Sequence, residues 1–379
     1  MKSKEISNIN NEYDLMIVGS GPAGVSTWLY LNKYRPELAS HTLIIEKEKH
    51  PREKLCGGAL QNSFINKFLN DVHISLTIPK VEIDSIQVKL EDNGFSFNQN
   101  AFISIIERSR FDHFLVDIAR KRGAKIIENV AFLNYTKDNG LNVYTSNGNY
   151  LVKILVGADG ALSKVRKSIP SPSKISYAKT LEVFSPVNPD VDYEFDKKSI
   201  VMDWSCIKTG IQGYVWHFPC IINGEPYLNH GIYNSRIHQS FKSDLTTVFH
   251  KELINRNISI PRSSWKSHPI PFYKDTKVLG DDNIILVGDA AGIEPLIGGG
   301  IHLSLLYGDV AAQTIISAFE NEDFSLHDYT KRFNNHVVGK FINNSLIMAK
   351  KVYSGKIDLL ETIKNNLEIL ANFGQKNGS

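Results

Sequence analysis

The sequence predicts an α/β fold, α+β overall: a Rossmann-like dinucleotide-binding domain split by an inserted, mainly antiparallel sheet and followed by a helical tail. Three observations carry that prediction. Gly19-Ser20-Gly21-Pro22-Ala23-Gly24 sits between an apolar run, Asp14 to Val18, and a helix-like stretch from Val25 to Lys33. Residues 170–275 are rich in aromatic and β-branched residues and carry few helical patterns. A second glycine-rich segment, Gly288-Asp289-Ala290-Ala291-Gly292, follows another buried-strand run, Asn283 to Val287. At 379 residues the chain exceeds the usual single-core size, so two interlocked domains are expected.

The first element reads as a βαβ unit. Gly19 permits the tight strand-to-helix turn, and Gly21 lets the backbone approach a pyrophosphate with no Cβ in the way. Gly24 lets the helix pack close to the strand. The unpaired N–H groups of the first helical turn, with Pro22 and Ala23, favour anionic phosphates. A second apolar run, Thr42 to Ile45, is closed by Glu46 about 20 residues after the turn, where a carboxylate suits two ribose hydroxyls and repels a 2′-phosphate.

The remaining elements follow in order. Val81, Ile83, Ile86, Val88 and Leu90 fall mostly on alternate positions of an expected strand region over 78–106. Phe111, Phe114, Leu115 and Ile118 are spaced for one face of a helix over 110–122, which Gly123 ends before Lys125-Ile126-Ile127. Leu151 to Val156 reads as a buried strand, and Asn223-Gly224 as a turn within the inserted sheet. A helix is expected from about Ile301 to Phe319. Two further stripes, Val338-Phe341-Ser345-Ala349-Val352 and Ile357-Leu360-Ile363-Leu367-Leu370, mark amphipathic helices that pack on a core. The expected partition is cofactor domain over 1–77, 101–169 and 276–325, second-domain strands over 78–100, inserted sheet over 170–275, and C-terminal helices over 326–379.

Bulk properties exclude several classes. Hydrophobic residues make up 42%, enough for a packed core rather than a disordered chain. Basic residues number 43 against 40 acidic, with no long like-charge block, so a nucleic-acid partner has no support. No apolar run approaches the ~20 residues that span a bilayer. Met1 to Asn11 is polar and lacks the apolar core of a signal peptide. Cys56, Cys206 and Cys220 have neither disulfide nor metal-site spacing, so no metal and a cytoplasmic setting are the expectation.

The distance between the two glycine motifs suggests one flavin-sized ligand held from both ends of the chain. Asp289 is placed to accept from a ribityl hydroxyl. The helix starting near Gly300 aims N–H groups where a reduced flavin ring gathers negative charge, and Gly298-Gly299-Gly300 leaves that approach clear. Val156 to Arg166, with Asp159-Gly160, resembles the second motif of glutathione-reductase-like flavoproteins. In that family an arginine at the place of Arg108 contacts phosphate or flavin.

Further motifs resemble a narrower family. Pro51-Arg52-Glu53-Lys54-Leu55-Cys56-Gly57-Gly58 is similar to the Pro-Arg-x-Lys-x-Cys-Gly-Gly signature of geranylgeranyl reductases, FAD enzymes of the p-hydroxybenzoate-hydroxylase-like fold. Tyr214-Val215-Trp216-His217-Phe218-Pro219 is similar to their Tyr-x-Trp-x-Phe-Pro motif, and Gly288 to Gly292 with Pro295 to Ile301 to their flavin loop. The resemblance spans roughly residues 12–320. It departs from the family at Ile211, where a proline is expected, and at His302 after the glycine loop.

The resemblance implies an FAD site formed by the first glycine turn, Glu46, Lys47, Cys56, Gly57, Gly58, Arg108, Val130, Asp159, Gly160, Asp289, Gly299, Gly300 and Ile301. It also implies a prenyl-binding wall of Tyr214, Trp216, Phe218 and Pro219, and reduction of C=C bonds in an isoprenoid or related lipid-like substrate. Such a reaction needs a hydride and a proton; Cys56 and Tyr214 are the two candidates for the proton or for gating the flavin. Electrons come from NAD(P)H or a reduced ferredoxin, bound transiently because no second dinucleotide-binding unit is evident. A lipid substrate implies peripheral membrane contact.

Two other classes stand beside this one. An oxygen-using monooxygenase or halogenase shares the fold, but hydroxylases usually place His where Gly292 stands. Halogenases carry Trp-x-Trp-x-Ile-Pro and a catalytic lysine, for which Lys80 is the residual candidate. Guanine-nucleotide dissociation inhibitors carry prenylated proteins on a related fold without a working flavin site, against which the intact glycines, Glu46 and Asp289 argue.

Overall fold

The computed structural model describes residues 11–138, 140–170, 174–187, 192–238, 244–273 and 279–376. Among them two eight-stranded sheets are present. The first runs in the order Gly280–Asp281, Ile284–Leu286, Gly148–Gly157, Glu12–Val18, Thr42–Ile45 and Lys125–Ile127, with Phe132–Lys137 and Leu141–Thr145 added as an antiparallel meander on Gly148–Gly157. Its centre is parallel: Val18 sits opposite Ile45 on one side and Gly157 on the other. Leu15, Met16, Ile17, Leu43, Ile44 and Ile45 are fully buried, as expected where helices cover both faces of a parallel sheet.

The second sheet runs Lys266–Tyr273, Ile175–Pro186, Glu225–Asn234, Gly213–Ile222, Ser199–Asp203, Lys80–Leu90, Asn93–Ile106 and Ala59–Gln61. All its pairings are antiparallel except that of Ser199–Asp203 with Lys80–Leu90. It draws on more of the chain than the sequence suggests. Its strand Asn93–Ile106 runs past residue 100, and Ala59–Gln61 joins it from within the first 77 residues. Asn223 (φ 53°) and Gly224 (φ 92°) form the two-residue turn between Gly213–Ile222 and Glu225–Asn234, both left-handed as such a hairpin requires.

Helices Pro22–Tyr34, Arg108–Lys121 and Ile301–Asn321 lie where the periodicity places them. Two of the longer helices were hidden. Asn62–Asp71 is poor in strong helix formers and is secured by the Gln61 side chain accepting from the Phe64 N–H at 3.1 Å. Leu245–Asn255 is opened by β-branched residues and capped by Asp244. The C-terminal pair is Val337–Val352 and Leu359–Lys376. Val338, Ser345, Ala349 and Val352 are buried and Phe341 is half-buried, but Ile357 lies ahead of its expected helix and is exposed.

Candidate active site

One cavity of about 690 Å³ lies between the two sheets, walled by residues from Val18 to Leu370. It brings together nearly every residue the sequence singles out. Gly19, Gly21, Pro22 and Ala23 form one end, Gly299, Gly300 and Ile301 another. Glu46, Lys47, Cys56, Gly57, Gly58, Arg108, Val130, Asp159, Gly160 and Asp289 line the space between, and Tyr214, Trp216 and Phe218 form a wall. Gly24 and Pro219 are the two that do not reach it.

Their exclusion has a structural cause in each case. A Cβ on Gly24 would lie 2.0 Å from the Gly19 carbonyl oxygen and 3.1 Å from Ala158 Cβ, so this glycine serves helix-to-strand packing, as its position in the motif suggests. Pro219 follows Phe218 on a strand, and successive side chains point to opposite faces. Ile211 belongs with that far face. It packs with Val183, Val215, Ile232 and Phe249 in a separate apolar cluster, so the departure from the family's proline lies away from the cavity.

The glycine turn is held by backbone. Gly19 has φ 106°, its N–H donates to the Ile45 carbonyl at 2.8 Å, and an added Cβ would lie 2.4 Å from the Ala158 carbonyl oxygen. Gly21 is different: a Cβ there meets only the Arg52 guanidinium, at 3.4 Å, so the space above it is free for a ligand. Glu46 reaches over the turn, its Oε2 accepting from the Ser20 N–H at 2.9 Å and Ser20 Oγ at 3.1 Å. Arg108 is buried in a bidentate pair with Asp112, at 3.0 and 3.1 Å, and Asp112 also faces Arg52 at 3.4 Å. The Asp159 carboxylate caps the helix Lys164–Ser168, accepting from the Lys164 N–H at 2.6 Å and the Val165 N–H at 3.1 Å, so it shapes the loop rather than presenting a free carboxylate.

At the other end the loop before Ile301–Asn321 is stapled by a residue the sequence did not flag. Glu294 is 1% exposed, and its carboxylate accepts from the N–H groups of Leu296 at 2.7 Å, Ile297 at 3.2 Å and Gly299 at 2.6 Å. Burial nevertheless pushes its carboxyl up to about 7. His302 lies in the next turn. Burial moves its imidazole down to about 4, leaving it neutral, with Nδ1 unpartnered and the ring 5.3 Å from Phe64.

The second sheet presents one face to the cavity. Tyr214 and Tyr233 are directly opposed across strands, as are Trp216 and Gly231; a Cβ on Gly231 would lie 2.0 Å from the Trp216 ring, so the indole lies flat over that glycine. Trp216 Nε1 donates to Asn229 Oδ1 at 2.8 Å. The Tyr214 hydroxyl donates to the Ile297 carbonyl at 2.8 Å, and burial raises its pKa, which together tie it to the glycine loop rather than freeing it as an acid. Phe341, Leu367 and Leu370, from the C-terminal helices, close the apolar end.

Around Cys56 the site is polar. The Gly58 N–H donates to Cys56 Sγ at 3.4 Å, and the Arg108 guanidinium lies within hydrogen-bonding reach of the thiol. Lys54 Nζ donates to His268 Nε2 at 2.6 Å; burial lowers the pKa of the lysine and takes His268 to about 4. Glu182, Lys266 and His268 join this polar side, and none of them stands out in the sequence. Lys80 lies away from the cavity, at a strand start, paired with Glu82 at 2.7 Å.

The cavity fits FAD on two observations: a glycine turn whose one open position is Gly21, and a second glycine loop at a helix N-terminus on the far side. No family model matches the chain. It is 27% identical over 371 residues to digeranylgeranylglycerophospholipid reductase of Thermoplasma acidophilum, covering 89% of this chain and 87% of that one. A geranylgeranyl bacteriochlorophyll reductase-like protein from Thermoplasma acidophilum shares the fold with a TM-score of 0.72 at 22% identity, over 97% of this chain and 96% of that one. A mutant of the halogenase PltM in complex with FAD aligns with a TM-score of 0.67 at 16% identity, over 90% of this chain and 76% of that one; at such identity the likeness is one of fold.

Proposed function

We propose that this chain, an FAD-dependent oxidoreductase of the geranylgeranyl reductase family, saturates C=C bonds of an isoprenoid or related lipid-like substrate. The observation that carries the reading is the shape of the cavity beyond the cofactor cradle. There it is apolar and aromatic, from Tyr214 and Phe218 to Phe341, Leu367 and Leu370. An isolated double bond offers no polar handle, so its reduction rests on orientation and exclusion of water, which such a wall provides. When bound and reduced, FAD would supply the hydride. The chain's own residues would hold its phosphates at the Gly19–Gly24 turn, present the Gly299–Gly300 loop to its ring, and position the alkene against Trp216 and Phe218.

Electrons reach the flavin from NAD(P)H or a reduced ferredoxin, and the lipid is met at a membrane surface by peripheral contact. Among the described residues no helix is long and apolar enough to cross a membrane. The exposed Ile347 and Ile369, on the two helices that close the apolar end, support such contact. Lys80, the residual candidate for a halogenase lysine, lies outside the cavity.

The test is anaerobic photoreduction of the flavoprotein, then reoxidation with a panel of prenyl lipids followed by mass spectrometry. The expected product gains two hydrogens per double bond. Oxygen consumption coupled to a hydroxylated or halogenated product would overturn the reading, as would a purified protein that stays colourless with added FAD.

A further inference from the structure

We propose that Glu182 is the acid of this site, the group whose proton goes to the alkene carbon that does not receive the hydride. The proposal rests on the reading of the cavity as a double-bond reductase. Glu182 lies on the strand Ile175–Pro186, where Leu181 and Val183 pack into the far apolar cluster and Thr180 and Glu182 face the cavity. It is 5% exposed. Its cross-strand neighbours are Gly231, which contributes no side chain, and Lys266.

The groups that face it can be named element by element. From the loop before Ala59–Gln61 come the Cys56 backbone N–H and the Glu53 carboxylate; from Glu225–Asn234 comes the Asn229 side chain; from Lys266–Tyr273 comes Lys266, itself paired with Glu53. Cys220 lies near on Gly213–Ile222. Lys54 with His268, and Arg108 behind Cys56, complete the polar side. Against these neighbours, Oε1 of Glu182 has no hydrogen-bond partner. A bare, buried carboxylate oxygen is costly, and protonation lessens that cost by removing the charge, leaving an O–H whose acceptor would have to be an incoming group. Burial accordingly pushes the Glu182 carboxyl up to about 7, with the Cys56 N–H, Asn229 and Lys266 pulling the other way. A general acid works best near that value.

Three other acidic groups of the cavity are engaged. Glu294 accepts from three backbone N–H groups, the Tyr214 hydroxyl donates to Ile297, and Glu46 is bonded to Ser20. The step balances as follows. A hydride with its two electrons passes from reduced flavin to one alkene carbon, the Glu182 O–H bond breaks, and its proton forms the second C–H bond as the π bond is lost. The carboxylate left beside Lys266 is reprotonated from solvent.

The experiment compares wild type, Glu182→Gln and Glu182→Asp, each as the FAD-loaded full chain. In Glu182→Gln, flavin retention stays unchanged and the chain still folds. Reoxidation of the photoreduced enzyme by a prenyl alkene slows by about 10²-fold or more. The wild-type rate falls as pH rises above about 7, where the acid is lost, and this limb vanishes in Glu182→Gln but persists, shifted, in Glu182→Asp. Infrared difference spectra of the substrate-free protein show one carboxyl fewer titrating near 7 in Glu182→Gln than in wild type, the Glu294 carboxyl remaining in both. An unchanged rate and pH profile, or loss of flavin with the pH limb intact, would overturn the assignment. A wild type that reduces no prenyl lipid sinks the function while the infrared titration still reports on Glu182, so the two failures are told apart.

Discussion

The glycine turn at one end of the cavity and the aromatic sheet face at the other are built in opposite ways. The turn works by what is missing: Gly19 and Gly24 have carbonyl oxygens 2.4 and 2.0 Å from where a Cβ would sit, and a Cβ on Gly21 would meet only the Arg52 guanidinium, at 3.4 Å. Six consecutive residues, adjacent in sequence, make the whole device. The sheet face works by what is present, and its parts are scattered. Glu182, Tyr214, Trp216, Lys266 and Leu367 come from three strands and a C-terminal helix. The lesson is that a cradle for a shared cofactor can be local and rigid, while the surface that decides which molecule reacts must be assembled across the fold.

Substitutions can break that contrast. The largest effect is expected from Gly24→Val, whose side chain would overlap backbone; it should cost more than about 4 kcal/mol and leave little folded protein, read by urea denaturation. Gly21→Val should fold with a melting temperature within a few degrees of wild type and yet emerge colourless, since its nearest neighbour is only a guanidinium at 3.4 Å. If both variants failed to fold, Gly21 would lose its assignment as the ligand-facing glycine.

Next comes Glu294→Ala, which leaves the N–H groups of Leu296, Ile297 and Gly299 without their acceptor and should cost about 2–4 kcal/mol, together with weaker flavin retention. Glu294→Gln keeps an acceptor oxygen and should recover most of the loss.

A smaller effect lies in the pH dependence of stability. Glu182 titrates near 7 when folded, above the usual carboxylate range of an unfolded chain. The folded state therefore binds more protons between those values, and stability falls as pH rises through that window before levelling above about 7. Wild type should lose on the order of 2 kcal/mol relative to Glu182→Gln between pH 5 and 8. The neutral His302 and His268 act in the other direction, losing stability as pH falls from the usual imidazole range towards about 4. A flat difference between the two proteins would mean that Glu182 is not buried as an acid. The smallest effect is that of Pro219→Ala: turnover should stay within about twofold because its side chain faces away from the cavity.

How much was legible follows the same divide. The parallel core, the Gly19–Gly24 turn, Glu46 and the loop before Ile301 were readable because short-range pattern alone specifies them. The alternation of Tyr214, Trp216 and Phe218 was readable too, and the strict period of a strand places all three on one face. Glu182 was not. Flanked by Leu181 and Val183, it has the pattern of a residue on a solvent-facing side, and a cavity face is indistinguishable from a solvent face until the opposing layer is in place. Glu294 was missed because its partners are backbone N–H groups, which leave no trace in residue identity. The helices Asn62–Asp71 and Leu245–Asn255 were missed because their residues are weak helix formers rescued by caps and packing.

The cavity's outline passes from Val18 through Glu46, Arg108, Asp159, Tyr214 and Gly300 to Leu370. During synthesis, then, no flavin can be captured while the chain is still short. The phosphate turn is complete once residue 24 has emerged, but the second glycine loop and the helix carrying Leu367 and Leu370 arrive some 270 to 350 residues later. Yellow colour in a nascent or proteolysed sample would accordingly report on near-complete chains alone, which makes flavin fluorescence a natural assay of whether this molecule has finished folding.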